Sequence, residues 1–537
     1  MPSNTLAFRE TGYFSRLICD YLEQKPILKS FYNRFPSLPD FKAQLLEKSG
    51  SYAIENRKIL FRALEKQYSD SLISAETRKN LEALLQENTF TITTGHQLSL
   101  FTGPLYFLYK IISAINLSKQ LTEAYPEYNF VPVYWMATED HDFDEISFFN
   151  FRGKKFQWNL EASGAVGTLE NDEIKKLFEV FTSELGGGMQ AQNLKELFEN
   201  AYLKHKTLTE ATRFLVNALF KSYGLVIVDG NDAELKRLFT PYIKNELLAK
   251  GAFKPVQETS KKLKASGYNV QVNPRDINLF YLKNRLRERI VKVNGSFEVN
   301  NSELYFSEEE MLREVESNPE RFSPNVIMRP LYQEVILPNI CYIGGGGELA
   351  YWLQLKSYFD AQQIPFPVLL LRNSALLIKE KQQEKLERLA IAQKHLFLEQ
   401  NTFINRKVRE ISNIDIDFTP QKEHLKNQFL NLYELATKTD KSFLGAVKAQ
   451  EVKQIKGLAK LEKRLLKAQK RKLADEVHRI TILQNELFPN KSLQERTVNF
   501  AEFFVEYGTG FLDVLFEELD PLHQEFHILV LTNHGTR

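Results

Sequence analysis

Phe90-Thr-Ile-Thr-Thr-Gly-His-Gln-Leu-Ser-Leu-Phe-Thr-Gly-Pro104 is the stretch that decides the fold. Phe90 to Thr94 is β-branched and aromatic, and Gly95 stops it, the pattern of a short buried strand. Thr102 and Gly103 are N-cap residues, and Pro104 suits a first helical position. Leu105, Leu108, Ile111, Ile112 and Ile115 then share one helical face in a segment running to Leu121. Phe130-Val-Pro-Val-Tyr-Trp-Met136 reads as a second strand. Pro132 is expected at its first paired residue or at a bulge, because proline lacks the ladder donor. Two strands joined by one helix over so short a span should be parallel, with a right-handed crossover. Gly95-His96-Gln97 and Glu139-Asp-His-Asp142 then meet at the carboxyl ends of neighbouring strands, where open α/β sheets bind ligands.

Outward from that stretch, the 537 residues leave room for several domains, and 43% hydrophobic content supplies a core. A net charge of +2 argues against a polyanion binder as a whole. Cys19 and Cys341 are the only cysteines, which excludes a disulfide framework and a multi-cysteine zinc centre. The first residues lack a signal-peptide pattern, and no apolar run approaches ~20 residues. A cytoplasmic protein without membrane contact is expected.

Residues 1–88 read as a helical accessory segment without chemistry of its own. The core opens over 89–150, gives way to a first connecting insertion at 151–220, and returns at 221–250 with Leu225-Val-Ile-Val-Asp229 as a third strand. Asp229 ends that strand, placed to touch a substrate hydroxyl or to cap the following helix. A second insertion, 251–325, shows four antiparallel-strand patterns: Asn269–Val272, Leu279–Leu282, Arg289–Lys292 and Ser296–Val299. Asn294-Gly295 is a hairpin turn. Lys283, Arg285, Arg287 and Arg289 alternate, as solvated charges of an edge strand do. The core resumes over 326–375 with Ile340–Ile343, the Gly344-Gly-Gly-Gly347 block before Glu348, a helix, and the strand Pro367–Leu371. A glycine loop opening a helix exposes N–H groups to an anion. It is no P-loop and no spaced dinucleotide fingerprint.

Residues 376–487 lose glycine and gain charge. Leu458, Leu461, Leu465 and Ala468 step as a coiled-coil seam. Leu386 and Leu389 supply the expected partner arm, and the antiparallel hairpin is expected to break near 419–444. Lys453 to Lys472 holds nine basic residues and one acid, Glu462, a solvated face or a phosphate-contacting one. Residues 488–537 return to the core with a terminal strand over Phe526–Leu531. His523 and His527 lie four apart, but in a strand pattern and without a glutamate base, so no metal is expected there.

Three chemistries suit the central cluster. In adenylate-forming ligation, a carboxylate attacks the α-phosphate of ATP and the site neutralises the growing charge. His96 and His141 would contact phosphate or the transition state, and Asp140, Asp142 and Asp144 an ammonium group or Mg²⁺. Metal-dependent hydrolysis would use Asp140-His141-Asp142 with His96 as ligands. A nucleic-acid or scaffold role would rest on the basic coiled coil. Histidines merely satisfied by nearby carboxylates are the bland reading.

Thr94-Gly-His-Gln-Leu-Ser-Leu-Phe-Thr-Gly-Pro-Leu-Tyr106 and Val133-Tyr-Trp-Met-Ala-Thr-Glu-Asp-His-Asp-Phe-Asp-Glu145 resemble the BshC family, the cysteine ligases of bacillithiol biosynthesis. Arg329-Pro-Leu-Tyr-Gln-Glu334, Tyr342-Ile-Gly-Gly-Gly-Gly-Glu348, Tyr351-Trp352 and Leu493-Gln-Glu-Arg496 match as well, so the resemblance runs from about residue 90 to 500. It implies an α/β protein with a Rossmann-like parallel sheet, like that of class I aminoacyl-tRNA synthetases. Two inserted connecting subdomains and an α-helical antiparallel coiled coil supporting a homodimer complete the layout. The implied reaction joins L-cysteine to glucosaminyl malate through an amide, driven by ATP with Mg²⁺. Catalysis would fall to His96, Asp140, His141 and Asp142. Gly95, Gly344, Gly345, Gly346, Gly347 and Glu348 would hold the nucleotide. Gln97, Thr102, Trp135 and Glu139, with Asp144, Arg329, Gln333, Tyr351 and Trp352, would meet substrate. Membrane and nucleic acid are not expected partners. Only His96 stands where class I synthetases carry His-x-Gly-His, and no Lys-Met-Ser-Lys-Ser occurs, leaving the pyrophosphate to Arg372 or a lysine of the helical arm.

Overall fold

The structure, a computed structural model, describes residues 4–69, 73–171 and 173–532. It has two compact units: Met1–Ile378 with Ser492–Arg537, and Lys379–Lys491. In the first, helices α1 (Leu38–Ser49) and α2 (Ile54–Gln67) precede strand β1 (Thr89–His96), helix α3 (Tyr106–Ala124) and strand β2 (Asn129–Met136). Strand β3 (Val226–Asp229) and helix α4 (Ala233–Ala249) follow. The last core elements are α5 (Met328–Ile336), β4 (Asn339–Gly344), α6 (Gly346–Trp352) and β5 (Val368–Leu371).

The five strands pair in the order β5-β4-β1-β2-β3, every pair parallel. The doubly wound order reverses at β1 and β4, and the crevice above that reversal is the expected ligand position. Every residue of β1 is buried, as befits a strand covered on both faces. Phe90 and Ile92 join Phe41 and Leu45 of α1, Leu117 and Leu121 of α3, Ile343 and Leu370 in one core cluster. Burying such a side chain contributes roughly 1.5–3 kcal/mol. Helix α3 is buried almost all round, because the C-terminal segment covers its outer face: the Asn116 amide donates to the carbonyls of Phe516 and Leu519 at 2.9 and 2.8 Å.

Three local expectations change. Pro132 lies inside β2, opposite Ile92, but pairing with β3 starts only at Val133, so the other flank of Pro132 has no strand beside it. Helix α3 starts at Tyr106 rather than at Pro104, because Phe101, Thr102 and Gly103 all take positive φ (48°, 70° and 63°). Asn269–Val272 forms no strand: the Gln354 side-chain carbonyl takes the N–H groups of Gln271 and Val272 at 2.8 and 3.0 Å, so neither is left for a ladder. The second insertion is instead a five-stranded sheet that includes Leu279–Lys283, Leu286–Val293 and Phe322–Pro324.

The second unit holds helices α7 (Gln400–Ile411), α8 (Thr419–Thr437) and α9 (Lys441–Lys472). The stretch expected to break the hairpin is therefore its first arm and tip. Phe429, Ala436 and Val447 are buried together, with Leu425 and Tyr433 packed against them. The seam also differs: Leu461 is 53% exposed, whereas Glu462 turns inward to Arg409 and Lys422 at 2.8 and 2.5 Å. The lone acid of the basic run thus holds the arms in place, while the lysines around it stay exposed.

Candidate active site

A cavity of about 480 Å³ opens at the carboxyl ends of β1, β2 and β4. One corner joins β1 to the helix behind it. Gly95 and His96 end the strand, and Lys110 of α3 reaches them: its ammonium donates to the Gly95 carbonyl and pairs with Glu348, both at 2.6 Å. Glu348 also accepts from the Tyr342 hydroxyl at 2.7 Å and the Gly345 N–H at 2.8 Å. Burial alone would raise its carboxyl, but Lys110 and these donors bring it down to about 2. The His96 ring is neutral: burial, then the Lys110 charge, hold its pKa at about 3. Nδ1 lies 2.8 Å from the Gln97 carbonyl, so it carries the proton and Nε2 is left as an acceptor.

A second wall is cationic and aromatic. The Arg329 guanidinium lies 6.0 Å from the Trp135 ring and 5.5 Å from the Tyr342 ring, and donates to Gln333 at 3.0 Å. No ion pair to it forms among the described residues. Gly230 borders this wall because a Cβ there would collide with the Trp135 indole.

The third wall follows β2. The Gln97 amide donates to Asp140 at 2.8 Å and to Glu145 at 2.9 Å, tying the loops after β1 and β2 together. Glu139 pairs with the buried Lys236 of α4, and burial raises its carboxyl although Lys236 opposes this. Asp229 does not cap α4, a task taken by Asp232; it accepts from the Thr138 hydroxyl at 2.5 Å and so shapes the same loop. The first insertion pins that loop through the Val166 and Gly167 N–H groups, which donate to the carbonyls of Asp140 and Thr138 at 2.7 and 2.9 Å.

The cavity brings together Gly95, His96, Gln97 and Trp135 with Glu139, Asp140, Arg329, Glu348 and Tyr351. His141 does not border it. Its ring is half exposed, and its Nδ1 takes a hydrogen bond of 2.6 Å from Arg287, which does border the cavity. Asp142 and Asp144 are exposed and outside it, because the chain turns away in the short helix Phe143–Ile146. Gly344, Gly345, Gly346 and Gly347 do not line it either. A Cβ on Gly344 would meet Leu349, Glu348 and Tyr342, and the Gly345 N–H already holds the Glu348 carboxylate. Thr102 is buried beside the cavity loop, Gln333 stands behind Arg329, and Trp352 stacks on Tyr342 at 4.5 Å. Arg372 is buried in an ion pair with Glu495 at 2.7 Å; it does not line the cavity itself, but its guanidinium lies 5.0 Å over the ring of Tyr106, which does.

Two cavity residues had only faint signals in the chain. Lys110 is the sole charge between Phe101 and Ser118, an odd residue for a buried helix. Arg287 was one of four alternating cations, and only the fold shows that it turns inward, over the Phe280 ring at 4.0 Å, while Lys283, Arg285 and Arg289 stay exposed. Asp140, His141, Asp142 and His96, the expected ligands of a metal site, do not converge, and no group of three such side chains does so among the described residues.

Family models match nearly the whole chain: the bacillithiol biosynthesis BshC N-terminal Rossmann-like domain over residues 1–373, and the BshC C-terminal coiled-coil domain over 375–531. The chain belongs to the BshC family. A relative from Christiangramia forsetii named "Putative cysteine ligase BshC" is 58% identical over 98% of this chain and 99% of its own. Relatives of the same name from Flavobacterium johnsoniae and Bacillus thuringiensis are 57% and 27% identical, over 99% and 96% of this chain and 100% and 98% of theirs. Membership places the chain among the ligases of bacillithiol biosynthesis, enzymes that form a carbon–nitrogen bond. A solved chain described as an arginyl-tRNA synthetase from Campylobacter jejuni covers 83% of this one at 10% identity, with a TM-score of 0.21, too low to carry an argument. Among the described residues no helix is long and apolar enough to cross a membrane.

Proposed function

We propose that this BshC-family ligase joins the carboxyl group of L-cysteine to the amine of glucosaminyl malate, with ATP activating the carboxylate. The carboxylate oxygen attacks the α-phosphorus and pyrophosphate leaves. The sugar amine then attacks the acyl carbon, AMP leaves, and the amine loses a proton. The observation that carries the reading is the cavity at the sheet's switch point, whose lining combines the Arg329 guanidinium, without a carboxylate ion-pair partner among the described residues, with Glu139, Asp140 and Glu145.

Arg329 takes a malyl carboxylate, since the carboxylate under activation has to stay free to attack. Asp140 and Glu145, held side by side by Gln97, suit the cysteine ammonium or a Mg²⁺ ion carried in on phosphate, which needs only one or two protein carboxylates. Glu139, with its raised pKa, is the carboxylate suited to take the amine proton. His96 serves as a neutral acceptor. The half-exposed apolar residues Leu430, Leu435, Phe443 and Leu444 near the hairpin tip support a homodimer through the second unit.

The test is incubation of the purified chain with ATP, L-cysteine and glucosaminyl malate, followed by mass spectrometry. Product at the mass of the cysteinyl amide, with AMP released one for one, is expected. Amide formed with ADP and phosphate would replace the adenylate by an acyl phosphate. No amide at all would overturn the reading.

A further inference from the structure

Behind the cavity, a line of buried polar side chains connects the N-terminal helices to the guanidinium on its wall. Lys48 of α1 donates to the Glu334 carbonyl at 2.8 Å and lies 3.7 Å from its carboxylate. Oε1 of that carboxylate accepts from the Gln333 amide at 2.9 Å and the Asn339 amide at 2.6 Å. The Gln333 carbonyl faces Arg329, and the Asn339 carbonyl accepts from the hydroxyls of Thr91 and Thr93 at 3.2 and 2.8 Å. We infer that Glu334 is a positioning residue, which through Gln333 sets the Arg329 guanidinium for a substrate carboxylate. The inference rests on the reading of Arg329 given above.

The argument is one of donors and acceptors. A carboxylate only accepts and a guanidinium only donates. An amide between them satisfies both in a single orientation, nitrogen to Glu334 and oxygen to Arg329. Asn339 is fixed in the same way, nitrogen to Glu334 and oxygen to β1. Glu334 thereby ties the guanidinium to the strand that ends in Gly95 and His96. A purely structural role fits poorly. Lys48 and Glu334 are both fully buried, yet among the described residues Oε2 of Glu334 has no hydrogen-bond partner, and well-packed apolar residues usually serve stability as well as a buried ion pair. Burial raises the Glu334 carboxyl to about 7 despite Lys48, so the group is ionised, and purely an acceptor, above that pH.

Three variants and two readouts test this. The readouts are the Kd of glucosaminyl malate by calorimetry, which needs no turnover, and kcat at saturating substrates. Arg329→Met is expected to weaken binding about 10- to 100-fold. Glu334→Leu with Lys48→Met, which removes the acceptor and leaves no orphan charge, is expected to weaken it about tenfold with kcat nearly unchanged. Glu334→Gln with Lys48→Met keeps an accepting oxygen and should bind within about twofold of the parent. In an Arg329→Met background the leucine pair should add nothing. If Arg329→Met binds normally, the reading of Arg329 falls and the inference with it. If Arg329→Met weakens binding but the leucine pair does not, only the inference falls. It falls likewise if the glutamine pair is as impaired as the leucine pair, or if the leucine pair weakens the Arg329→Met protein further.

Discussion

His96 and Lys110 share a buried corner, and the charge of the lysine helps keep the imidazole neutral. The consequence for stability has a definite sign. The folded pKa is about 3 and the unfolded one about 6.5, so between those values the unfolded chain binds the extra proton and stability is lost as pH falls. His527, held at about 4 by burial, acts in the same direction. His96→Gln should therefore flatten the fall of stability by up to ~1.4 kcal/mol per pH unit between about pH 6 and 4. Denaturant midpoints measured across that range check it; a slope unchanged from the parent would mean the ring is not neutral. Glu139 supports a second prediction at this scale. Glu139→Gln should lower kcat by about 10²- to 10⁴-fold with little change in Kd for either substrate, read from pre-steady-state and binding measurements. Neither environment was visible in the chain. Gly95-His96-Gln97 marked the place, but the neutrality of the ring comes from burial, which composition does not report, and then from Lys110, fourteen positions beyond it.

The loop from Leu98 to Pro104 shows how an element is shaped by what it packs against. Phe101 in the left-handed region sends its ring among Phe149, Phe181, Phe198 and Tyr202, with centroids 4.3–5.4 Å away. Asn499 donates to the Phe101 and Gly103 carbonyls at 2.8 and 2.6 Å, and the Tyr202 hydroxyl takes the Phe101 N–H at 2.9 Å. Asn499→Ala leaves two buried carbonyls without donors and should cost about 1–3 kcal/mol, seen as a lower urea midpoint. Gly230 offers a sharper test of geometry. Gly230→Ala pushes the Trp135 indole toward the cavity, so weaker substrate binding with an unchanged circular dichroism spectrum is expected. Strand, helix and strand over residues 89–136 could be read from β-branched runs and helical spacing, because local preference and burial agree there. The start of α3 could not, because Thr102 and Gly103 are good caps in isolation and the aromatic cluster that overrides them lies up to a hundred residues away. The hairpin arm at 419–437 was missed for a related reason: its buried positions are only Phe429 and Ala436, too few to mark a face.

At the scale of the molecule, the Rossmann-like sheet, the inserted sheet and the helical unit follow the layout that the sequence blocks implied, while the buried side chains that back the cavity wall did not show. The segment before residue 88 looked accessory, yet α1 sends Lys48 beneath α5, and Arg57 of α2 donates to the carbonyl of Thr89 at the foot of β1 at 2.9 Å. The apolar tip of the second unit yields a prediction for assembly. Leu435→Glu with Leu444→Glu should convert the proposed dimer to a monomer by light scattering while leaving the Kd of glucosaminyl malate unchanged, since the cavity lies wholly in the first unit.

The pairing of β1 with β4 also has a consequence for how the protein is made. Thr94 aligns with Ile343, nearly 250 residues later, and its hydroxyl bonds to that carbonyl. On the ribosome, at roughly 5–20 residues per second, one edge of β1 waits tens of seconds for its neighbour. β2 arrives early and covers only the opposite edge. During that interval a strand of β-branched and aromatic residues, with no charged side chain before His96, stands open to other nascent chains, so slow translation between residues 136 and 339 should raise the yield of aggregate more than the same delay after residue 371.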